Sequence, residues 1–151
     1  MISTRFWNVI VLGLVMVVFV KARVLRMTLP PPSVTRYYIH VMNGLSNADL
    51  IVHCQSKDDD LGYHHLANRG DDYQWNFKEN FWQTTLFWCK LEKQNAHVSF
   101  ESFWPESKST WLRDRCGYQG TCIWTAKDDG IYLRNMPANI DEFVHKWIPT
   151  K

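Results

Sequence analysis

The chain has 151 residues, 17 of them Lys or Arg and 15 Asp or Glu, for a formal net charge of +2. That length suits one domain and is too short for two comfortable ones. The near balance of charge, with no cluster of Lys and Arg, excludes a surface built to track a phosphate backbone, so no nucleic-acid partner is expected.

The N-terminus places Arg5 ahead of an apolar run from Phe6 to Val20, broken only by Asn8 and Gly13, with Lys21 and Ala22 following. A basic start, a hydrophobic run of this length and small residues near its end are the layout of a secretory signal. A membrane span needs about 20 apolar residues, so no stable anchor is expected. Residues 1–22 are therefore read as a signal peptide cleaved after Ala22. Its removal takes away Arg5 and Lys21 and no acid, which leaves the mature chain formally neutral. Residues 23–35 contain Pro30, Pro31 and Pro32, which remove three backbone donors and favour an extended tail. The domain is expected over 36–151.

From there the apolar period is two. Tyr37, Ile39 and Val41 share one face, and Asn43-Gly44 then marks a turn. Leu50, Val52 and Cys54 align next. Beyond a turn of three aspartates and a His/Asn/Gly-rich loop, Tyr73, Trp75 and Phe77 alternate with polar residues. Residues 84–89 are apolar on both faces and read as a central strand. Val98, Phe100, Ser102 and Trp104 form another run, followed by Cys122, Trp124 and Ala126, and then by residues 131–133 after Asp128-Asp129-Gly130. Short aromatic and β-branched runs separated by turns predict an all-β fold, an antiparallel sandwich or barrel. Eight tryptophans, most of them in these runs, offer the large buried area that a small β domain needs. Only the end looks helical. Ile140, Phe143, Val144 and Trp147 fall on one helix face, Asn139 is placed to cap it and Pro149 to stop it, so a short C-terminal helix is expected.

Four cysteines, Cys54, Cys89, Cys116 and Cys122, lie in the mature part. An even number in a small exported chain reads as two disulfides, with three connectivities open. Wide gaps and the lack of a Cys-x-x-Cys pair argue against zinc. No Asn-x-Ser/Thr sequon occurs.

Chemistry is sparse. Asp58, Asp59 and Asp60 are adjacent, so their side chains diverge, and the alternate spacing of a calcium loop is missing. A solvated turn is the better reading, with Gly62 at positive φ. His53, His64 and His65 have no third ligand at a helpful spacing, so no metal and no cofactor are expected. No Gly-x-Ser-x-Gly, His-Glu-x-x-His or glycine-rich phosphate loop is present. Glu79, Glu92, Glu101 and Glu106 could pair for glycosidic cleavage only at a distance that sequence does not give. Oxidised cysteines make poor nucleophiles. The expectation is a protein that is not an enzyme.

Taken together, several of these stretches resemble the plant self-incompatibility S-protein homologues. The likeness is carried by Val52-His53-Cys54 with residues 56–62, then Gly70, Tyr73, Trp75 and Phe77, then residues 85–89, Cys116, Cys122-Ile123-Trp124 and residues 129–132. It covers roughly residues 37 to 134, in one order and with all four cysteines. The resemblance implies a small secreted β-sandwich of about seven to eight short strands with two disulfides, from a plant. Founding members of that family are stigma-secreted ligands that meet a membrane receptor on incompatible pollen. This chain departs from the pattern in its proline tail and in its extension past Asn135, and neither end inherits a role.

The functional expectation is a secreted, extracellular, non-enzymatic ligand in plant cell–cell signalling, monomeric and recognised by a cell-surface protein receptor. The alternative is an extracellular carbohydrate-binding or defence-related module. Loops carry recognition while strands supply rigidity. The expected contacts are therefore Lys57, Asp58, Asp59 and Asp60; Asn68, Arg69, Asp71 and Asp72; and Lys127, Asp128 and Asp129.

Overall fold

The computed structural model describes residues 36–151; the expected signal peptide and proline tail lie outside them. Ten strands and one short helix fill this span. In chain order they are β1 (Tyr37–Asn43), β2 (Leu50–Ser56), β3 (Asp60–Leu66), β4 (Asp72–Phe77), β5 (Phe87–Lys93) and β6 (Ala96–Phe103). Then come helix α1 (Trp111–Cys116), β7 (Thr121–Lys127), β8 (Gly130–Asn135), β9 (Ile140–Lys146) and β10 (Ile148–Pro149). They form two five-stranded sheets, ordered β4-β1-β7-β8-β9 and β10-β6-β5-β2-β3.

The alternation seen in sequence sets the core. Tyr37, Ile39 and Val41, Cys122, Trp124 and Ala126, and Ile131 and Leu133 are buried on the first sheet. Leu50, Val52 and Cys54, Phe87, Cys89 and Leu91, and Val98 and Phe100 are buried on the second. Each large side chain removed from water contributes about 1.5–3 kcal/mol before the entropy of ordering is subtracted. The Trp124 indole N–H crosses between sheets to donate to the Ser102 carbonyl at 3.0 Å. Along one side, Phe103, Phe77, Phe87, Trp75 and Tyr73 stack in series with centroid spacings of 4.6–5.7 Å. The series ends on His64, 3.5 Å from Tyr73, and closes β4 against β3.

Both disulfides form. Cys54–Cys89 ties paired residues of β2 and β5, 35 positions apart in sequence. Cys116–Cys122 clips the end of α1 to β7.

The expected β-sandwich, largely antiparallel and with two disulfides, is what forms, and four details of it are corrected. The C-terminal helix is absent: residues 140–146 are strand β9, paired antiparallel to β8. A bulge explains the false period. Tyr132 pairs with Phe143 but Ile131 with His145, so Val144 is an extra residue that shifts the phase of alternation and mimics a helix face. The free edge of β8 then decides, since a short helix holds only by docking. Strand number is ten because β3, β9 and β10 join the seven apolar runs. β3 is too polar to announce itself and is held through its ladder with β2. Not every pair is antiparallel, because β1 and β7 run parallel after α1 carries the chain from one sheet to the other. Finally, of the tryptophans only Trp124 and Trp147 are buried among the described residues, and Trp82 is exposed.

Candidate functional site

Strand directions sort the connections into two groups. One end of the sandwich gathers residues 44–49, 67–71, 94–95 and 128–129. The other gathers residues 57–59, 78–86, the α1 connection over 104–120, and 136–139. The expected contact loops are therefore split. Asn68 to Asp72 and Lys127 to Asp129 lie at the first end, and Lys57 to Asp60 at the second. Asp60 and Asp72 are the first residues of β3 and β4, and Lys127 is the last of β7, so these three are strand residues rather than loop residues.

The first end is polar and tied to itself. Its hub is Asn43, 1% exposed. The Asn43 side-chain amide donates to the carbonyls of Leu66 at 2.9 Å and Ala48 at 3.1 Å, and its oxygen accepts from the Leu45 amide at 3.0 Å. Asp128 accepts from the hydroxyl and the amide of Ser46, and these, the hydroxyl first, hold its carboxyl below the usual range. Asp129 accepts from the Tyr132 hydroxyl at 2.7 Å, and Asp71 from the Asn68 amide at 2.8 Å. Asp72 meets His40 at 2.7 Å, and Asp49 meets His65 at 2.6 Å. Lys127 donates to Asp141 at 2.7 Å and lies over the Tyr132 ring. Gly44 packs its backbone against β7, where a Cβ would sit 2.7 Å from the Thr125 methyl. A shallow cleft of about 540 Å³ remains, lined by Ser46, Asp49, His65, Asn68, Arg69 and Gln94 among others.

The second end is different. In the β2–β3 turn, Ser56 Oγ accepts from the amides of Asp58 and Asp59, at 3.3 and 3.0 Å, which fixes the turn backbone. Asp60 is engaged: it accepts from the Gly62 amide at 2.9 Å and meets His53 at 2.7 Å, and these, the amide first, hold its carboxyl below the usual range. Gly62 has φ +79°, as expected of the turn. The side chains of Lys57, Asp58 and Asp59 are exposed and make no ion pair among the described residues. Their turn forms one wall of a cleft of about 600 Å³; Phe77, Lys78, Asn80, Thr84 and residues 85–88 form the rest.

Glu79 and Glu106, two of the four glutamates weighed for hydrolysis, do come close. Burial, and then the neighbouring Glu106, push the Glu79 carboxyl up. Burial foremost, with Glu106 and Glu79 adding, also pushes the Tyr37 hydroxyl far up. Neither glutamate lines either cleft, and Glu106 faces the Arg113 guanidinium at 3.6 Å. Glu92 and Glu101 are occupied by Lys90 and Lys108. Among the described residues no group of three or more His, Cys, Asp or Glu is placed to hold a metal ion, and no helix is long and apolar enough to cross a membrane.

Sequence reasoning missed Phe81 and Trp82. They form the tip of the β4–β5 loop, 90% and 78% exposed, ring edge to ring face at 5.4 Å. An aromatic doublet that falls outside both flanking alternations, between Asn80 and Gln83, was the available sign.

A sandwich of two sheets with one disulfide inside a sheet and one clipping a short helix defines the class of the fold; similarity supplies the family. The family model for plant self-incompatibility protein S1 matches residues 38–147. S-protein homolog 1 of Arabidopsis thaliana is 41% identical over 117 residues, covering 77% of this chain and 74% of that protein. Self-incompatibility protein S1 of Papaver rhoeas is 33% identical over 109 residues, covering 71% and 74%. A solved structure of SPH (self-incompatibility protein homologue) proteins superposes with a TM-score of 0.57 at 19% identity, over 76% of this chain and 96% of that one. Those SPH proteins are a widespread family of small, highly stable, secreted proteins from plants. The chain belongs to the plant self-incompatibility protein S1 family.

Proposed function

We propose that the protein is a secreted, non-enzymatic ligand in plant cell–cell signalling, acting as a monomer and recognised by a protein receptor at the cell surface. Export would use residues 1–22 as a cleaved signal. The observation that carries this reading is family membership across nearly the whole domain, residues 38–147. The architecture supports it: two disulfides and a continuous core hold the strands, while polar loops at both ends are displayed.

The test is proximity labelling from plant cell surfaces with the refolded, oxidised protein. Saturable labelling of one membrane protein, competed by unlabelled ligand, is the expected result. Specific signal on a glycan array with no protein target would replace the ligand reading by a carbohydrate-binding one.

A further inference from the structure

Resting on the ligand reading, we infer that the receptor is gripped by one end of the sandwich: the Phe81–Trp82 tip is an apolar anchor, and the cleft beside it, rimmed by Lys57, Asp58, Asp59 and Lys78, receives a protruding element of the same folded protein.

Three observations meet there. First, the tip is pre-formed. Asn80 closes the loop at its base: its amide nitrogen donates to Thr84 Oγ1 at 2.8 Å, its side-chain oxygen accepts from the Thr84 amide at 2.9 Å, and its backbone amide reaches Thr85 Oγ1 at 3.2 Å. The Gln83 amide bonds back to the Asn80 carbonyl at 3.0 Å, with Gln83 at φ 50°, and Ser107 Oγ ties the loop to the α1 connection through the Gln83 carbonyl. Two aromatics are thus held in solvent on a fixed backbone, so little loop entropy remains to be lost on docking. Large exposed aromatics of this kind dominate binding energy when they enter a desolvated pocket.

Second, the four charges on the rim of this cleft are unengaged, while the aspartates of the polar end are not. Asp49, Asp71, Asp72, Asp128 and Asp129 all accept hydrogen bonds within the molecule. Asp58 and Asp59, with Lys57 and Lys78, have no ion pair among the described residues and stand on the rim of the 600 Å³ cleft. An apolar centre with a charged rim is the anatomy of a protein–protein contact.

Third, charge and shape select a protein over a bilayer. Two carboxylates and two ammonium groups cancel, so an anionic lipid surface gains no net attraction here. A flat bilayer also has nothing to place in a cleft next to a projecting tip. The complementary partner carries an apolar socket, and beside it a protrusion bearing a cation for Asp58 and Asp59 and an anion for Lys57 and Lys78.

The test uses the full-length mature protein, oxidised and fluorescently labelled, on plant protoplasts, protease-treated protoplasts, and vesicles of phosphatidylcholine with and without phosphatidylserine. The Phe81→Ser/Trp82→Ser pair is expected to weaken saturable protoplast binding by roughly tenfold or more. Asp58→Asn/Asp59→Asn is expected to slow association several-fold and flatten its salt dependence. Arg69→Ser/Asp128→Asn at the other end leaves binding unchanged, protease treatment abolishes it, and vesicles do not bind. Far-ultraviolet circular dichroism confirms that each variant folds. If Arg69→Ser/Asp128→Asn abolishes binding while Phe81→Ser/Trp82→Ser does not, this inference is overturned and the ligand reading stands. Vesicle binding that depends on Phe81 and Trp82 overturns the protein partner, as does a dimer in sedimentation that those substitutions dissolve. Absence of any saturable binding by the unmodified protein overturns the ligand reading and the inference with it.

Discussion

The two ends of this sandwich are held together by different chemistry. The aromatic end is covalently stapled. Cys54 and Cys89 lie two residues from the ends of β2 and β5 that reach it, and Cys116–Cys122 anchors the α1 connection. The polar end carries no disulfide and relies on Asn43, Ser46 and a ring of engaged aspartates. A loop whose side chains satisfy one another is stable but has little left to offer a partner. An end fixed by bonds inside the scaffold can leave its outer side chains unengaged. The contrast teaches that charge in a turn is a poor guide to recognition until its internal partners are known.

The contrast can be broken from either side. Replacing Cys54 and Cys89 by Ala has the largest expected effect, a loss of about 4 kcal/mol for a loop of this length in the chain-entropy model, read as a lower urea midpoint. Next is Asn43→Ala, which leaves the buried Leu66 carbonyl, the half-buried Ala48 carbonyl and the Leu45 amide without their partner. About 3 kcal/mol is expected, in the same measurement. Removing Cys116 and Cys122 costs about 2 kcal/mol because the loop is short. Its local signature is sharper, with faster amide exchange confined to residues 111–122.

Smaller still are the titration effects, which oppose each other. Burial holds the His145 imidazole below its ordinary 6.5. The unfolded chain therefore takes up that proton first, so this contribution is complete above pH 6.5 and is lost as the pH falls through the folded value. Glu79 is raised above 4.5, so its contribution is present below that pH and is lost as the pH rises through the folded value. Urea midpoints between pH 4 and 8 should show the acid-side loss shrink in His145→Phe. In Glu79→Gln the opposing trend disappears, and a profile unchanged by either substitution would refute the assignment.

Much of the fold could be read from residues alone. Runs such as Tyr37-Ile39-Val41 and Cys122-Trp124-Ala126 predicted strands because burial of one sheet face imposes a period of two. Disulfide formation followed from an even number of cysteines in a chain read as exported. Where the reading failed, tertiary context had overridden a local pattern. Val144 bulges out of β9 and gave a helix-like spacing. β3 is polar because it sits at a sheet edge, and α1, at six residues, is too short to carry a period. Of the expected contact residues, Lys57, Asp58 and Asp59 reach the aromatic end unengaged, while Asp60 does not, because its neighbour across the hairpin is His53. Phe81 and Trp82 were passed over since exposed aromatics look like core in a sequence.

By itself, then, the sequence determined the β class, the core-facing positions, the cysteine framework and the family. These depend on alternation and residue chemistry, which are local. Only the tertiary structure decided which loops share an end, that Cys54 bonds Cys89, that β1 lies parallel to β7, and which aspartates are engaged. Those depend on strand order, which brings residues 46 and 128, or 59 and 80, together across stretches of chain that carry no local record of the meeting.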